Sequence, residues 1–341
     1  MPRGASPTLI RRVPYRLADF RSAFARSLAR REELFAKRDV TAWRLFDGFG
    51  DGHSGIYVDR YGPAAVLNVH DDSRWDEDKT TAAARAILAA LEATGLESVY
   101  VKRFNKDRTR LGGRAPAESS SPTPRAGRRQ PEALTVDEYG AHYEVRLYDG
   151  FSTGLFLEHR EHRRALAERR ITRALNLFAY TCAFSVPLAA AGAHVTNVDV
   201  SARYLAWGRR NHALNDIDTT RLRYYRMDAR TYLDYASRHA EERFDLIVID
   251  PPTFGTGDSR RGVKTWKATT DYPTLLAAAA RVLTAKGVIF AATNTRELAE
   301  DGALREMIQK AVGPVKWELL PPPPGDMRER QRVASALFRL R

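Results

Sequence analysis

Residues 244–254 read FDLIVIDPPTF, and the fold turns on this stretch. Leu246, Ile247, Val248 and Ile249 form a short apolar run with β-branched residues, which predicts a buried strand. Asp250 ends it, and Pro251-Pro252 forbid both further ladder pairing and a helix start at Asp250. A carboxylate and a rigid turn therefore stand at the carboxyl end of a strand, where open α/β sheets bind ligands. The turn also aims carbonyl oxygens outward, as acceptors for a flat polar group such as a nucleobase. In isolation a DPP sequence is more simply a strand-terminating turn, so its meaning depends on the rest of the chain.

On both sides of this stretch, strand and helix patterns alternate. Strands are expected over 173–178, 194–199, 222–227, 245–250 and 287–293, with helices near 185–191, 202–215, 229–241, 272–283 and 297–312. Repeated βα units predict a doubly wound, Rossmann-like parallel sheet. A last pair, 317–320 and 334–340, supplies antiparallel strands after the PPPPG turn. We expect this domain to span 133–341, opening with a hairpin (134–136 with 143–148) and a helix over 161–170. Upstream, 41–132 reads as a small α+β domain with strands at 43–46, 56–59, 64–69 and 98–103 and a helix over 76–93. Within it, 104–131 combines Arg, Lys, Gly, Pro and Ser with few large apolar residues, which predicts a mobile basic loop. Residues 1–40 read as a flexible lead and a single basic amphipathic helix over 17–35, able to lie on RNA or simply to expose an arginine face.

The chain has 341 residues, 43% of them hydrophobic, enough for ordinary cores. Lys and Arg number 55 against 42 Asp and Glu, and the resulting net charge of +13 favours polyanionic partners. An arginine-rich composition with no such partner is the competing explanation. Cys182 is the one cysteine, which excludes an internal disulfide and a multi-cysteine zinc site, and no metal is expected. With no long apolar segment, the expectation is a cytoplasmic protein that does not engage a membrane, either monomer or homodimer.

Three strands end in acids in succession: Asp199, Asp228 and Asp250. Asp199 follows the first βα turn at the distance where dinucleotide sites place a ribose-binding carboxylate. Asp228 is placed to meet an adenine amino group. Any one of them alone would be an ordinary helix N-cap. The first turn, Phe178, Ala179, Tyr180, Thr181, Cys182 and Ala183, contains no glycine, so a pyrophosphate has no close-approach loop. That argues against NAD and ATP and for S-adenosylmethionine (SAM), which carries no phosphate.

Four motifs then place the chain beside a known family: DGFGDGHSGIYVDRYG (47–62), TGLFLEHREHR (153–163), NLFAYTCAFSV (176–186) with NVDVS (197–201), and FDLIVIDPPTF (244–254). It resembles the bacterial 23S rRNA base methyltransferases that modify cytosine C5 or guanine N7. The resemblance covers roughly 40–340 and implies a substrate-binding α+β domain followed by a class I SAM-binding domain. It also implies that Phe156, Arg160, the turn of Phe178, Tyr180, Thr181, Cys182 and Ala183, Asp199, Ser201, Asp228, Ala229 and Asp250 line the cofactor pocket. An N-terminal PUA domain, present in part of the family, is expected to be missing.

Chemistry separates the branches. Cytosine C5 needs a thiolate adding at C6. The family's cysteine for this follows the next strand, where this chain has Thr293 and Asn294 and no thiol. Guanine N7 carries an in-plane lone pair, so positioning suffices. We therefore expect N-methylation of guanine in RNA, with Asp250, the Pro251 carbonyl and Asn294 holding the base. Phe254 would stack on it, and Arg260, Arg261 and Lys264 would contact RNA phosphates, with Trp266 packing or stacking beside them. Cytosine-C5 methylation and a methyltransferase acting on something other than RNA are the alternatives.

Overall fold

The computed structural model describes residues 17–104, 117–300, 302–328 and 333–341, without the Arg261 side chain. The first elements are α1 (Leu17–Ala29), α2 (Glu32–Ala36), β1 (Ala42–Asp47), β2 (Ile56–Tyr61), β3 (Ala64–His70), α3 (Glu77–Leu91), β4 (Ser98–Phe104) and β5 (Ala126–Gly127). The strands form one sheet in the order β1-β2-β3-β4-β5, with β3 and β4 parallel across α3. Asp76 caps α3 by accepting the Lys79 N–H at 2.8 Å. Phe20 and Phe24 of α1 and Ala83, Ala84 and Ile87 of α3 bury one sheet face with Leu45, Val58, Leu67 and Val101. The apolar stripe of α1 is therefore committed to this core. The single helix expected over 17–35 is two, because Arg31 turns inward to pair with the buried Asp51 at 2.7 Å.

The loop expected over 104–131 is ordered in its described part, and residues 105–116 lie outside the described set. β5 pairs with β4, Arg125 meets Glu77 at 2.6 Å, Arg128 Nε meets Glu97 at 2.9 Å, and the Gln130 N–H donates to the Tyr100 hydroxyl. Local composition could not show this, because the acids that hold these arginines sit on α3 and beside β4. Gly127, at φ +84°, is obligatory here: a Cβ would stand 2.0 Å from the Glu97 carbonyl oxygen.

The second unit continues with β6 (Leu134–Glu138), β7 (Ala141–Val145), α4 (Arg160–Ala167), β8 (Arg173–Leu177), α5 (Ser185–Ala190), β9 (His194–Asp199), α6 (Ala202–Leu214), β10 (Leu222–Arg226), α7 (Ala229–Ser237) and β11 (Phe244–Ile249). It ends with β12 (Phe254–Gly255), β13 (Trp266–Lys267), α8 (Ala268–Ala280), β14 (Leu283–Thr293), α9 (Arg296–Ala299), α10 (Ala303–Val312), β15 (Val315–Glu318) and β16 (Ala334–Leu340). Its main sheet runs β10-β9-β8-β11-β14-β16-β15, parallel as far as β14, with β16 antiparallel to both neighbours. Helices cover both faces, giving two apolar layers. Chain order reverses between β8 and β11, which pair with Leu177 opposite Ile249. That reversal is the ligand-binding switch point of an open α/β sheet, and it sets the turn after β8 beside Asp250.

The two units are joined by burial and charge. Ala42, Tyr61, Val66 and Tyr100 enter the same core as Val136, Tyr143 and Leu155. Asp326, in the connection between β15 and β16, accepts from Arg160 at 2.5 Å and from the Arg44 N–H at 2.7 Å, while its carbonyl takes Arg31.

Candidate active site

The turn after β8 holds three non-glycine residues in the left-handed region: Phe178 (φ 55°), Tyr180 (φ 50°) and Cys182 (φ 60°). Each such residue costs about 1–2 kcal/mol, so the conformation needs compensation. Cross-strand hydrogen bonds supply it. The Ala179 N–H donates to the Val198 carbonyl at 3.0 Å, and the Tyr180 N–H donates to Asp199 Oδ2 at 2.9 Å. Thr181 is buried and donates its hydroxyl to the Gly154 carbonyl at 2.6 Å. Ala183 accepts the Tyr143 hydroxyl through its carbonyl. Cys182 is fully buried with its sulfur against Gly208, and burial pushes its thiol well above the usual range. It is a neutral filler, not a nucleophile.

Asp199 also accepts the Ser201 N–H at 2.8 Å through Oδ1, and Ser201 caps α6 by accepting the Tyr204 N–H. Burial raises the Asp199 pKa, partly offset by its two backbone N–H partners. Asp228 caps α7 and receives the Arg230 guanidinium, with Nη2 at 2.6 Å from Oδ2. Burial pushes that carboxyl up, but the hydrogen bonds and charge of Arg230 win and hold it below the ordinary range. Next to these two carboxylates lies a slot walled by Phe178, Val198, Val200, Met227, Ala229, Pro252 and Trp266.

The basic segment after β12 forms the outer wall of that slot. Trp266 is buried, packs on Phe178 with ring centroids 5.0 Å apart, and donates to the Pro252 carbonyl at 2.7 Å. Val263 and Lys264 line the slot, and the Lys264 carbonyl accepts from Arg230 at 2.9 Å. Lys264 and Trp266 thus stand at the slot, Lys264 exposed at its rim and Trp266 buried in its wall, and Arg260 is exposed beyond them. Arg230 was not anticipated. A basic residue two positions after a strand-end Asp carries no signal until the fold brings the segment containing Lys264 against it.

Asp250 and Pro251 end β11 beside the slot. Tyr272 stands with its hydroxyl 2.9 Å from both the Ile249 and Ala292 carbonyls, tying the ends of β11 and β14 together. That brings Asn294 to the DPP turn, where its Oδ1 accepts from the Thr253 hydroxyl at 3.0 Å. Phe254 is 60% exposed, so it is not a core aromatic and its ring is available. Phe156 is also exposed and its ring meets Tyr180 at 5.4 Å, so it flanks the turn after β8.

Arg160 departs from the expected role. It is buried, and its guanidinium is committed to Asp326 and the Ala42 carbonyl, so it fastens the two units together instead of lining the slot. Its neighbour His159 reaches the site: Nε2 lies 3.3 Å from Asp250 Oδ2. His159 Nδ1 in turn lies 3.1 Å from His162 Nδ1. The sequence shows these two only as members of a basic helix start, because the contact joins segments some ninety positions apart. Among the described residues no group of His, Cys, Asp and Glu side chains is arranged to hold a metal, and no helix is long and apolar enough to cross a membrane.

A slot with apolar walls, two strand-end carboxylates and no glycine phosphate loop fits the adenosine of SAM. Asp199 keeps lone pairs for ribose hydroxyls beyond the single N–H that each oxygen accepts. At Asp228, Arg230 competes for the position expected to meet the adenine amino group.

Comparison with known proteins supports the same reading. The family model for S-adenosylmethionine-dependent methyltransferases matches residues 125–337. A Bacillus subtilis (strain 168) protein, provisionally named ribosomal RNA large subunit methyltransferase YwbD, is 33% identical over 82% of this chain and 67% of its own length. The ribosomal RNA large subunit methyltransferase K/L of Pseudoalteromonas translucida is 33% identical over 78% of this chain, which spans only 36% of that relative. Among solved structures, SMU.776, a provisionally assigned methyltransferase bound to SAH, superposes with a TM-score of 0.79 at 26% identity, covering 97% of this chain and 83% of its own. A provisionally assigned SAM-dependent methyltransferase from Streptococcus mutans gives a TM-score of 0.78 with the same identity and coverage. With its strand order, slot and family match in agreement, the chain belongs to the S-adenosylmethionine-dependent methyltransferases.

Proposed function

We propose that this methyltransferase modifies a base of RNA, with large-subunit ribosomal RNA as the substrate class and a guanine nitrogen as the acceptor. The observation that carries the reading is the convergence at the ends of β11 and β14: Asp250, Pro251, the Thr253–Asn294 pair and the exposed Phe254 stand next to the slot with no thiol among them. SAM supplies an electrophilic methyl group on a sulfonium. The chain's residues then have to hold a planar nucleophile in line with that methyl and keep its lone pair free. Asp250 accepts from a base N–H, and the Asn294 amide serves a base carbonyl while its own Oδ1 is held by Thr253. Phe254 offers a stacking face.

This arrangement orients a nitrogen that already carries a lone pair. Cytosine C5, in contrast, requires a thiolate, and Cys182 is enclosed in the turn after β8 with its proton retained. The names of the relatives and the net charge of +13 support ribosomal RNA as partner, which would place the protein in the cytoplasm.

The test is methyl transfer from labelled SAM to protein-free 23S rRNA, followed by nuclease digestion and mass spectrometry of the labelled nucleoside. A methylated guanosine is expected, and Cys182→Ala should retain wild-type turnover. Label on cytosine C5, or loss of turnover in Cys182→Ala with SAM binding intact, would overturn guanine N-methylation. A wild-type chain that binds SAM yet labels no RNA would overturn the RNA assignment itself.

A further inference from the structure

We propose that His159 is a positioning residue for Asp250, fixing the rotamer of that carboxylate, and that His162 in turn fixes the orientation of the His159 ring. The proposal rests on the reading of Asp250 as a base-holding carboxylate.

Asp250 needs such a partner. It stands at the end of β11, before two prolines that contribute no N–H, and its side chain is a quarter exposed. Among the described residues no other cation lies within 4 Å of it, and β11 ends one residue earlier. A carboxylate in that setting can rotate about its terminal torsion, which for Asp is broad. His159 is the group that reaches it, with Nε2 at 3.3 Å from Oδ2, leaving Oδ1 for the base.

Donor and acceptor counting assigns the protons. An ionised carboxylate only accepts, so Nε2 of His159 carries a hydrogen. The two Nδ1 atoms, 3.1 Å apart, share a single hydrogen between them. His162 is held neutral: burial, and the charges of His159 and Arg163, depress its pKa to about 3. It also hydrogen-bonds the Pro321 carbonyl, which can only accept. With its one hydrogen used there, the Nδ1 of His162 is an acceptor and that of His159 the donor. Both nitrogens of His159 thus face acceptors, Nε2 toward Asp250 and Nδ1 toward His162. The remaining charged groups at this cluster are Arg163 and its partner Glu138, whose oxygens lie 2.7 Å from the guanidinium.

The rings themselves cannot drift. His159 is 2% exposed and is packed by Phe184 and Phe290, with centroids 5.4 and 6.0 Å away, and His162 packs on Phe290 at 5.2 Å. Phe290 lies on β14, whose end carries Asn294 to the same turn. The histidine pair therefore registers Asp250 against the core instead of against solvent.

The experiment uses the full chain, labelled SAM and protein-free 23S rRNA, with His159→Leu and His159→Gln compared. Leucine fills the space without a donor, whereas glutamine keeps an N–H. His159→Leu should lose ~10–100-fold in kcat, the scale of a misplaced reacting group, with KM for RNA and Kd for SAM within about threefold. His159→Gln should recover most of that loss, which a merely structural role would not produce. Equal impairment of both variants, or wild-type kcat in His159→Leu, would overturn the proposal. Should His159→Leu not fold, histidine 15N NMR of the wild-type chain decides: the resonance missing from His159→Gln must show a protonated Nε2, and an unprotonated Nε2 would overturn it. A wild-type chain that methylates no RNA would instead overturn the RNA reading, leaving the NMR test of His159 standing.

Discussion

Single residues show where composition misleads. Lys102 sits in β4 with 1% of its surface exposed, its Nζ donating to the Ser152 carbonyl at 3.0 Å. Desolvation lowers its pKa to about 7, although Asp149 and Asp59 pull the other way. The sign follows from linkage. Between pH 7 and the ordinary lysine value the unfolded chain binds the extra proton, so the burial cost is full below pH 7 and is relieved as pH rises toward 10.5. Lys102→Met should therefore stabilise the protein at pH 7 by a few kcal/mol, since each tenfold change in proton affinity is worth about 1.4 kcal/mol. Its advantage should shrink by pH 10, read as the difference between wild-type and variant urea midpoints. A constant difference across that range would refute the assignment. Cys182 teaches the converse. A lone thiol in the cofactor turn is expected from sequence to be a small buried filler, and the structure encloses it against Gly208.

Among the elements, the turn after β8 and the connection carrying Asp326 do the most to shape the site. The turn reaches left-handed conformations without glycine because Val198 and Asp199 of β9 hold its N–H groups. Its lack of a glycine motif was legible in sequence, but its geometry was not, since the compensating partners lie on another strand. The Asp326 connection follows a proline run that by itself signals only a turn. In the structure its carboxylate is fully buried between Arg160 and the Arg44 N–H. Asp326→Ala would leave the Arg160 guanidinium buried without its counter-ion, so a loss of about 3–5 kcal/mol is expected. Urea unfolding measures it, and a loss below about 1 kcal/mol would show that the ion pair does not hold the units together.

At the scale of the whole molecule, two buried histidines are expected to weaken the fold as acid is added. Burial depresses His162 to about 3 and His212 to about 4, the latter although its ring also meets the Gly208 carbonyl. The unfolded chain takes up these protons near pH 6.5, and the folded chain resists until about pH 3–4. Stability is thus full above about pH 6.5 and falls as pH drops below it. By pH 5 each histidine should cost about 2 kcal/mol. His212→Gln, which cannot titrate, should lose less melting temperature between pH 7 and pH 5 than the wild type. An equal decline in both would show that His212 is not one of the groups responsible.

The alternation of βα units, the acidic strand ends, the DPP stop and the missing glycine loop were enough to predict the doubly wound sheet, its antiparallel strand and SAM as the cofactor. These features depend on local periodicity and on strand order, which the chain carries in its own succession of residues. What the tertiary structure alone decided were pairings between distant segments: Arg160 with Asp326, Arg230 with the segment containing Lys264, and His159 with Asp250. Long charged side chains take whichever partner the packed fold brings within reach. Their spacing in sequence holds no record of that partner, so their roles emerge only when the sheets are in place.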